Sequence, residues 1–191
     1  VSRLAKDFDE GNTSFGGMLT ATNRKIEEEH LNFLNKSAYT GGLDFRHQWD
    51  DKTYFVSLKL AGSYLKVAPE ALEQVQLSSS RYFQRPDADY VHFDSSRTSL
   101  AGHGGAFNIG RVGNGRWRIS GGALWRSPGF EINDLGYLRQ ADQIMDYIWV
   151  GYRINNPVGI FRSVNMNANV WQGWNFGGHR LFTGGNINGG A

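Results

Sequence analysis

Glu131 and Asp134, with Asp142 nearby, share the stretch WRSPGFEINDLGYLRQAD (125–142). Paired carboxylates at about 5–10 Å are what glycoside hydrolysis uses, one as acid and the other as base or nucleophile. In FEINDLG, however, Asn133 and Asp134 are also ordinary turn formers. Arg126 and Arg139 lie close enough in sequence to pair with the acids, which favours a loop held by internal salt bridges over an active site. A second candidate is RYFQRPD (81–87). There Arg81 and Arg85, with Tyr82 and Asp87, suit a sugar or an anion, and equally suit anchoring one long loop to its neighbour. The residues with ligand-binding character are therefore Arg81, Tyr82, Arg85, Asp87, Glu131 and Asp134, with a glycan as the ligand class.

Other chemistry finds little footing. The five histidines (His30, His47, His92, His103, His179) are scattered, with no HxH or HExxH spacing. GHGGAFNIG (102–110) has no following Gly-Lys-Ser/Thr, so its glycines suit close strand packing better than phosphate. Asp87, Asp89 and Asp94 lack the glycine and terminal glutamate of a calcium loop. There is no GxSxG and no cysteine, which excludes disulfides and thiolate metal sites. No catalytic residue, metal or cofactor is assigned.

The elements that must position these residues have a period of two. In YFVSLKLAGSY (54–64), Tyr54, Val56, Leu58, Leu60 and Tyr64 oppose Phe55, Ser57, Lys59, Ala61 and Ser63. The same alternation runs through AYTGGLDFRHQW (38–49), RWRISGGALWR (116–126) and FRSVNMNANVWQGWNF (161–176). Successive strand side chains point to opposite faces, so these read as strands. The stretches 1–9, 13–24, 98–112, 144–155 and 180–188 also read as strands, with the pattern diluted by glycine. Tight turns fall at 10–12, 50–52, 113–115 and 155–157. Longer links at 25–37, 68–97 and 129–143 alternate with them, and a tight 177–179 breaks the series. Short helices are expected inside two of the links, at 26–34 and 69–76.

The result is an all-β, antiparallel up-and-down meander of about nine strands, filling residues 1–191 as a single segment. Three features point to a transmembrane β-barrel with long external loops. Eleven residues at roughly 3.3 Å, tilted by about 45°, span about 25 Å, the height of an outer-membrane apolar band. Aromatics bracket the apolar face at both ends, as interfacial girdles do. Polar side chains sit mid-strand on the other face. Val56, Leu58, Leu60, Leu43, Phe45, Val164 and Met166 should then face lipid, and Lys59, Asp44, Arg46 and Asn167 the interior. A mean hydropathy of −0.46 does not oppose this, because the average hides the apolar half of each strand. With a net charge of +2 from interspersed acids and bases, nucleic-acid binding has little support.

Several stretches carry a resemblance: SFGGMLTATNR (14–24), SSSRYFQRPDAD (78–89), TSLAGHGG (98–105) and, above all, WRSPGFEINDLGYLRQAD (125–142). They resemble a large outer-membrane family of Gram-negative bacteria with no assigned activity. In that family a carbohydrate-binding-like β-sandwich, similar to family-9 modules, precedes a long C-terminal barrel. The resemblance implies a bacterial outer-membrane location, and a role as membrane conduit or as anchor for the carbohydrate-binding module. It lies wholly within the barrel part, so the chain is expected to be a fragment of a larger barrel. Residues 1–9 and 180–188 should be edge strands, partnered by further strands of the parent or by another outer-membrane barrel protein. The alternative is a soluble carbohydrate-binding or carbohydrate-active β-domain using loops 78–94 and 126–142.

Overall fold

The computed structural model describes residues 1–86 and 88–191. Nine strands follow one another: β1 (Ser2–Phe8), β2 (Thr13–Asn23), β3 (Ser37–Trp49), β4 (Tyr54–Lys66), β5 (Ser99–Arg111), β6 (Trp117–Arg126), β7 (Gln143–Ile154), β8 (Val164–Trp174) and β9 (Arg180–Gly190). They form one antiparallel sheet in sequence order. β1 and β9 each pair on one side only, so the sheet is open and not closed into a barrel. The strands read from diluted patterns all form, within a residue or two of their expected ends.

In a meander the links alternate between the two sheet ends. The links at 9–12, 50–53, 112–116 and 155–163 lie at one end, and those at 24–36, 67–98, 127–142 and 175–179 at the other. The turn after Trp49 reverses the chain through Asp50, Asp51 and Lys52, all left-handed at φ 52°, 51° and 59°. That handedness matches the strand twist on either side. The turn expected at 155–157 is longer than its Asn-Asn-Pro suggests, because β8 begins only at Val164; Val158 and Phe161 bridge within it.

Of the two expected helices, one forms. α1 (Pro69–Leu77) starts with proline in its first turn and buries Ala71, Leu72 and Gln76. The segment 26–34 instead holds only a 3₁₀ turn at Glu29–Leu31, with no buried residue. Its apolar positions have helical spacing but nothing to pack on, and Phe33 stays exposed. A short helix without a packed face is not stable.

Register aligns the alternation across the whole sheet. Leu43 pairs with Leu60, Phe45 with Leu58 and His47 with Val56, while Leu58 also opposes Phe107 and Val56 opposes Ile109. Farther on, Ile119 opposes Val150, Ile148 opposes Val170, and Tyr152 opposes Met166. These side chains make one continuous apolar face. Leu43 is 63% exposed, Ile148 63% and Val170 62%. All nine strands belong to one sheet, so no second sheet covers this face among the described residues.

Aromatic rows bound it. At the short-turn end Trp49 stacks on Tyr54 at 5.6 Å and Trp117 tilts against Tyr152 at 4.8 Å. At the other end Tyr39 opposes Tyr64, and Trp125 and Trp174 both flank Ile144. Polar groups interrupt the face near these rows: Gln172 Nε2 donates to Asp146 Oδ2 at 2.9 Å, one step inside the Trp125–Trp174 row, Thr13 Oγ1 and His47 Nδ1 share a hydrogen bond at 2.8 Å, one step inside Trp49, and Trp125 Nε1 donates to His103 Nδ1 at 3.2 Å.

On the opposite face Asp44 is paired directly with Lys59, and Arg3 approaches it at 3.8 Å. Arg46 lies over the ring of Phe55, and Asn188 donates to Asn167 at 3.1 Å. The packed core also sits on this side, at the long-link end. Ala38, Leu65 and Leu100 stand in one cross-strand row beneath Val67, Ala71, Leu72 and Phe83. A second cluster of Phe130, Leu138 and Ala141 packs on Ala61. The long links therefore fold back over the polar face and leave the apolar face bare.

Candidate functional site

The carboxylates singled out in 125–142 lie at the centre of that folded-back assembly, each tied to a different neighbour. The 127–142 loop is seated on β5 and β4. A Cβ on Gly102 would stand 2.1 Å from the Phe130 nitrogen, so only glycine leaves room for the loop backbone. Ser127 N–H donates to the His103 carbonyl at 2.8 Å, and Glu131 N–H donates to Ser63 Oγ at 2.9 Å.

Glu131 faces Arg81. The guanidinium bonds the carboxylate and also donates to the Phe130 carbonyl at 3.2 Å, while Glu131 Oε1 accepts from Asn133 N–H at 2.7 Å. The Arg81 side chain is wholly buried and that of Glu131 nearly so. Burial pushes the Arg81 pKa down, against the pull of the Glu131 carboxylate holding it up. Arginine starts high enough to stay charged. Among the described residues its Nε and Nη1 atoms are buried without a partner.

Asp142 is held from three directions. Arg85 bonds its carboxylate, Tyr90 Oη donates to it at 2.6 Å, and Phe176 N–H donates to its other oxygen at 3.0 Å. Burial, together with the adjacent Asp142 carboxylate, pushes the Tyr90 phenol up to about 12. Asp134 forms the third tie, accepting from Arg24 and from the Asn35 amide. Three acids of one loop thus bind the links at 24–36, 67–98 and 175–179 to it. A further tie runs inside the 67–98 link, where the buried Gln76 amide exchanges hydrogen bonds with the Asp94 backbone at 2.9 and 3.0 Å.

The expected pairing of these acids with Arg126 and Arg139 is corrected. Arg126 instead donates to the Gln140 carbonyl at 3.2 Å and to Gln143, its partner across the β6–β7 ladder, at 3.1 Å. The loop is held by ion pairs, but to arginines of other links and not to its own. Arg81 joins Glu131, Arg85 joins Asp142, and Asp134 goes elsewhere, to Arg24. Each carboxylate is thus occupied by its own arginine, and Glu131 and Asp134 do not converge on a shared open site. Tyr82 stands apart, exposed and left-handed at φ 44°. Asp87 lies outside the described residues.

Arg24, Asn35, Tyr90 and Ser63 escaped the sequence reading. Their partners lie 110, 99, 52 and 68 residues away, and nothing local marks them. Among the described residues no cluster of three or more metal-ligating side chains exists, and no helix is long and apolar enough to cross a membrane.

No curated protein and no solved structure matches the chain. One family model, described as "Domain of unknown function (DUF5916)", matches residues 35–189, which spans β3 to β9 and every clamp residue except Arg24. The chain belongs to the DUF5916 family.

Proposed function

We propose that the chain is an integral outer-membrane β-barrel segment, serving as membrane conduit or as anchor for an attached carbohydrate-binding module. The observation that carries the reading is the apolar face. It runs from β2 to β8, interrupted near its borders by the hydrogen-bonded pairs Thr13–His47, His103–Trp125 and Asp146–Gln172, is bordered at both ends by aromatic rows, and lies bare. Soluble monomers rarely expose contiguous apolar patches above a few hundred Å². A half-solvated antiparallel sheet normally buries its apolar side and wets its polar one. Here the long links cover the polar side instead, which is where loops of a barrel would turn inward. On this reading Val56, Leu58, Leu60, Leu43, Phe45, Val164 and Met166 meet lipid. Lys59, Asp44, Arg46 and Asn167 line the interior, and the long links lie outside the cell.

Membrane residence is tested by incorporating the chain into vesicles of lipids brominated at mid-chain and washing them with urea at high pH. Retention in the membrane pellet, with quenching of tryptophan fluorescence, is expected. Full release of the protein by the wash, from vesicles that also hold the barrel strands its open edges require, would reject the reading.

A further inference from the structure

Beside the clamps lies a cleft of about 460 Å³ between residues 79–85 and 139–141. It is within the size range of small-ligand sites. Its walls are mainly polar: Ser79, Tyr82, Arg85, Arg139 and Gln140 border it. Glu131 and Asp142 are already neutralised by Arg81 and Arg85. Among the described residues Arg139 makes no ion pair and no side-chain hydrogen bond, so the cleft keeps an uncompensated cation.

A second, independent feature sits at the same place. Tyr82 holds a left-handed backbone at φ 44° while leaving its side chain 43% exposed. A bulky residue in that region is strained. The strain is maintained from behind: Phe83 N–H donates to the Gln76 carbonyl at 3.0 Å, and Tyr82 N–H to the Ser78 carbonyl at 3.0 Å. The Tyr82 side chain is thus presented at the rim rather than packed.

We infer that this cleft binds an anionic sugar, with Arg139 on its carboxylate or phosphate and Tyr82 against a face of the ring. A guanidinium presents paired N–H donors that match either acid group. The face of a phenol ring is negative and suits the weakly positive C–H bonds of a pyranose. The Ser79 hydroxyl and the Gln140 amide supply donors and acceptors for ring hydroxyls. The cleft's chemistry is the same whether or not the sheet lies in lipid.

Calorimetric titration of the full chain in detergent, with digalacturonic acid and glucose 6-phosphate as probes, tests the site. Binding of both is expected, with maltose at least tenfold weaker. Arg139→Gln and Tyr82→Ala should each weaken binding about tenfold or more at unchanged melting temperature. Tyr82→Gly, which relieves the backbone, should melt no lower than the parent and still lose binding, an outcome a structural role for the ring would not give. Inorganic phosphate binding as tightly as glucose 6-phosphate, or affinity undiminished in the Arg139 and Tyr82 variants, would overturn the proposal. So would absence of binding. Displacement of digalacturonic acid by lipopolysaccharide nanodiscs would assign the sugar to a membrane glycolipid; lack of displacement would assign it to a soluble saccharide.

Discussion

At the scale of single residues, the clamps separate acids that look alike in sequence. Glu131 is bound to a wholly buried arginine, whereas Arg24, the partner of Asp134, keeps a third of its side chain exposed. Removing one member of a buried pair leaves the other charge uncompensated, at about 3–5 kcal/mol. Glu131→Gln is therefore expected to lower the urea midpoint far more than Asp134→Asn, whose arginine can be rehydrated. Equal shifts would contradict the assigned burial. Tyr90 gives a pH signature. Its folded pKa, near 12, is raised above the ordinary 10, so the stability it contributes is complete below about pH 10 and disappears as pH rises through 12. A phenolate absorbance titration should show one late-ionising tyrosine, and Tyr90→Phe should remove it. A titration left unchanged by that substitution would show that Asp142 does not hold the phenol. That three acids of the 127–142 loop would be clamped was legible from their types. Which arginines hold them was not, because the pairs close over 50, 57 and 110 residues through folds of other links.

At the scale of elements, the strands were legible because each side chain's direction is fixed by parity, and register then carries that parity across the sheet. The segment at 26–34 shows the limit: periodic apolar residues specify a helix only where a partner surface exists, and sequence does not display the surface. The same parity yields a sharp contrast within β4. If the apolar face meets lipid, Leu58→Arg should cost about 2–4 kcal/mol near mid-bilayer, and Ser57→Arg, one residue away on the other face, much less. Similar costs in a vesicle-refolding assay would count against the faces. Seating of the 127–142 loop depends on the missing side chain at Gly102. Gly102→Ala puts a methyl group into the Phe130 backbone. Overpacking of this kind costs about 1–3 kcal/mol. Protease cutting within 127–142 should rise in that variant, while the turn at 50–53 stays unaffected; unchanged cutting would mean that the loop does not need this contact.

At the scale of the whole molecule, the open sheet is the governing fact. Among the described residues, the outer edges of β1 and β9 carry backbone N–H and C=O groups with no strand partner. In lipid each such group costs several kcal/mol. The membrane reading therefore requires further strands, from a longer parent chain or from another barrel protein. With Leu4→Cys in β1 and Ile187→Cys in β9, oxidation should give no intramolecular cross-link; an efficient one would mean that the nine strands close on themselves. The central claim is that one face of the sheet meets lipid and the other does not. The chain has no native cysteine, so single-cysteine nitroxide labels can be placed at each position from Tyr54 to Lys66 without background. Collision rates with oxygen and with a water-soluble nickel complex then report lipid and water separately. In bilayers the account predicts a period of two, with oxygen access high at 56, 58 and 60 and low at 57, 59 and 61. A flat profile, or one in which nickel reaches 56, 58 and 60, would contradict it.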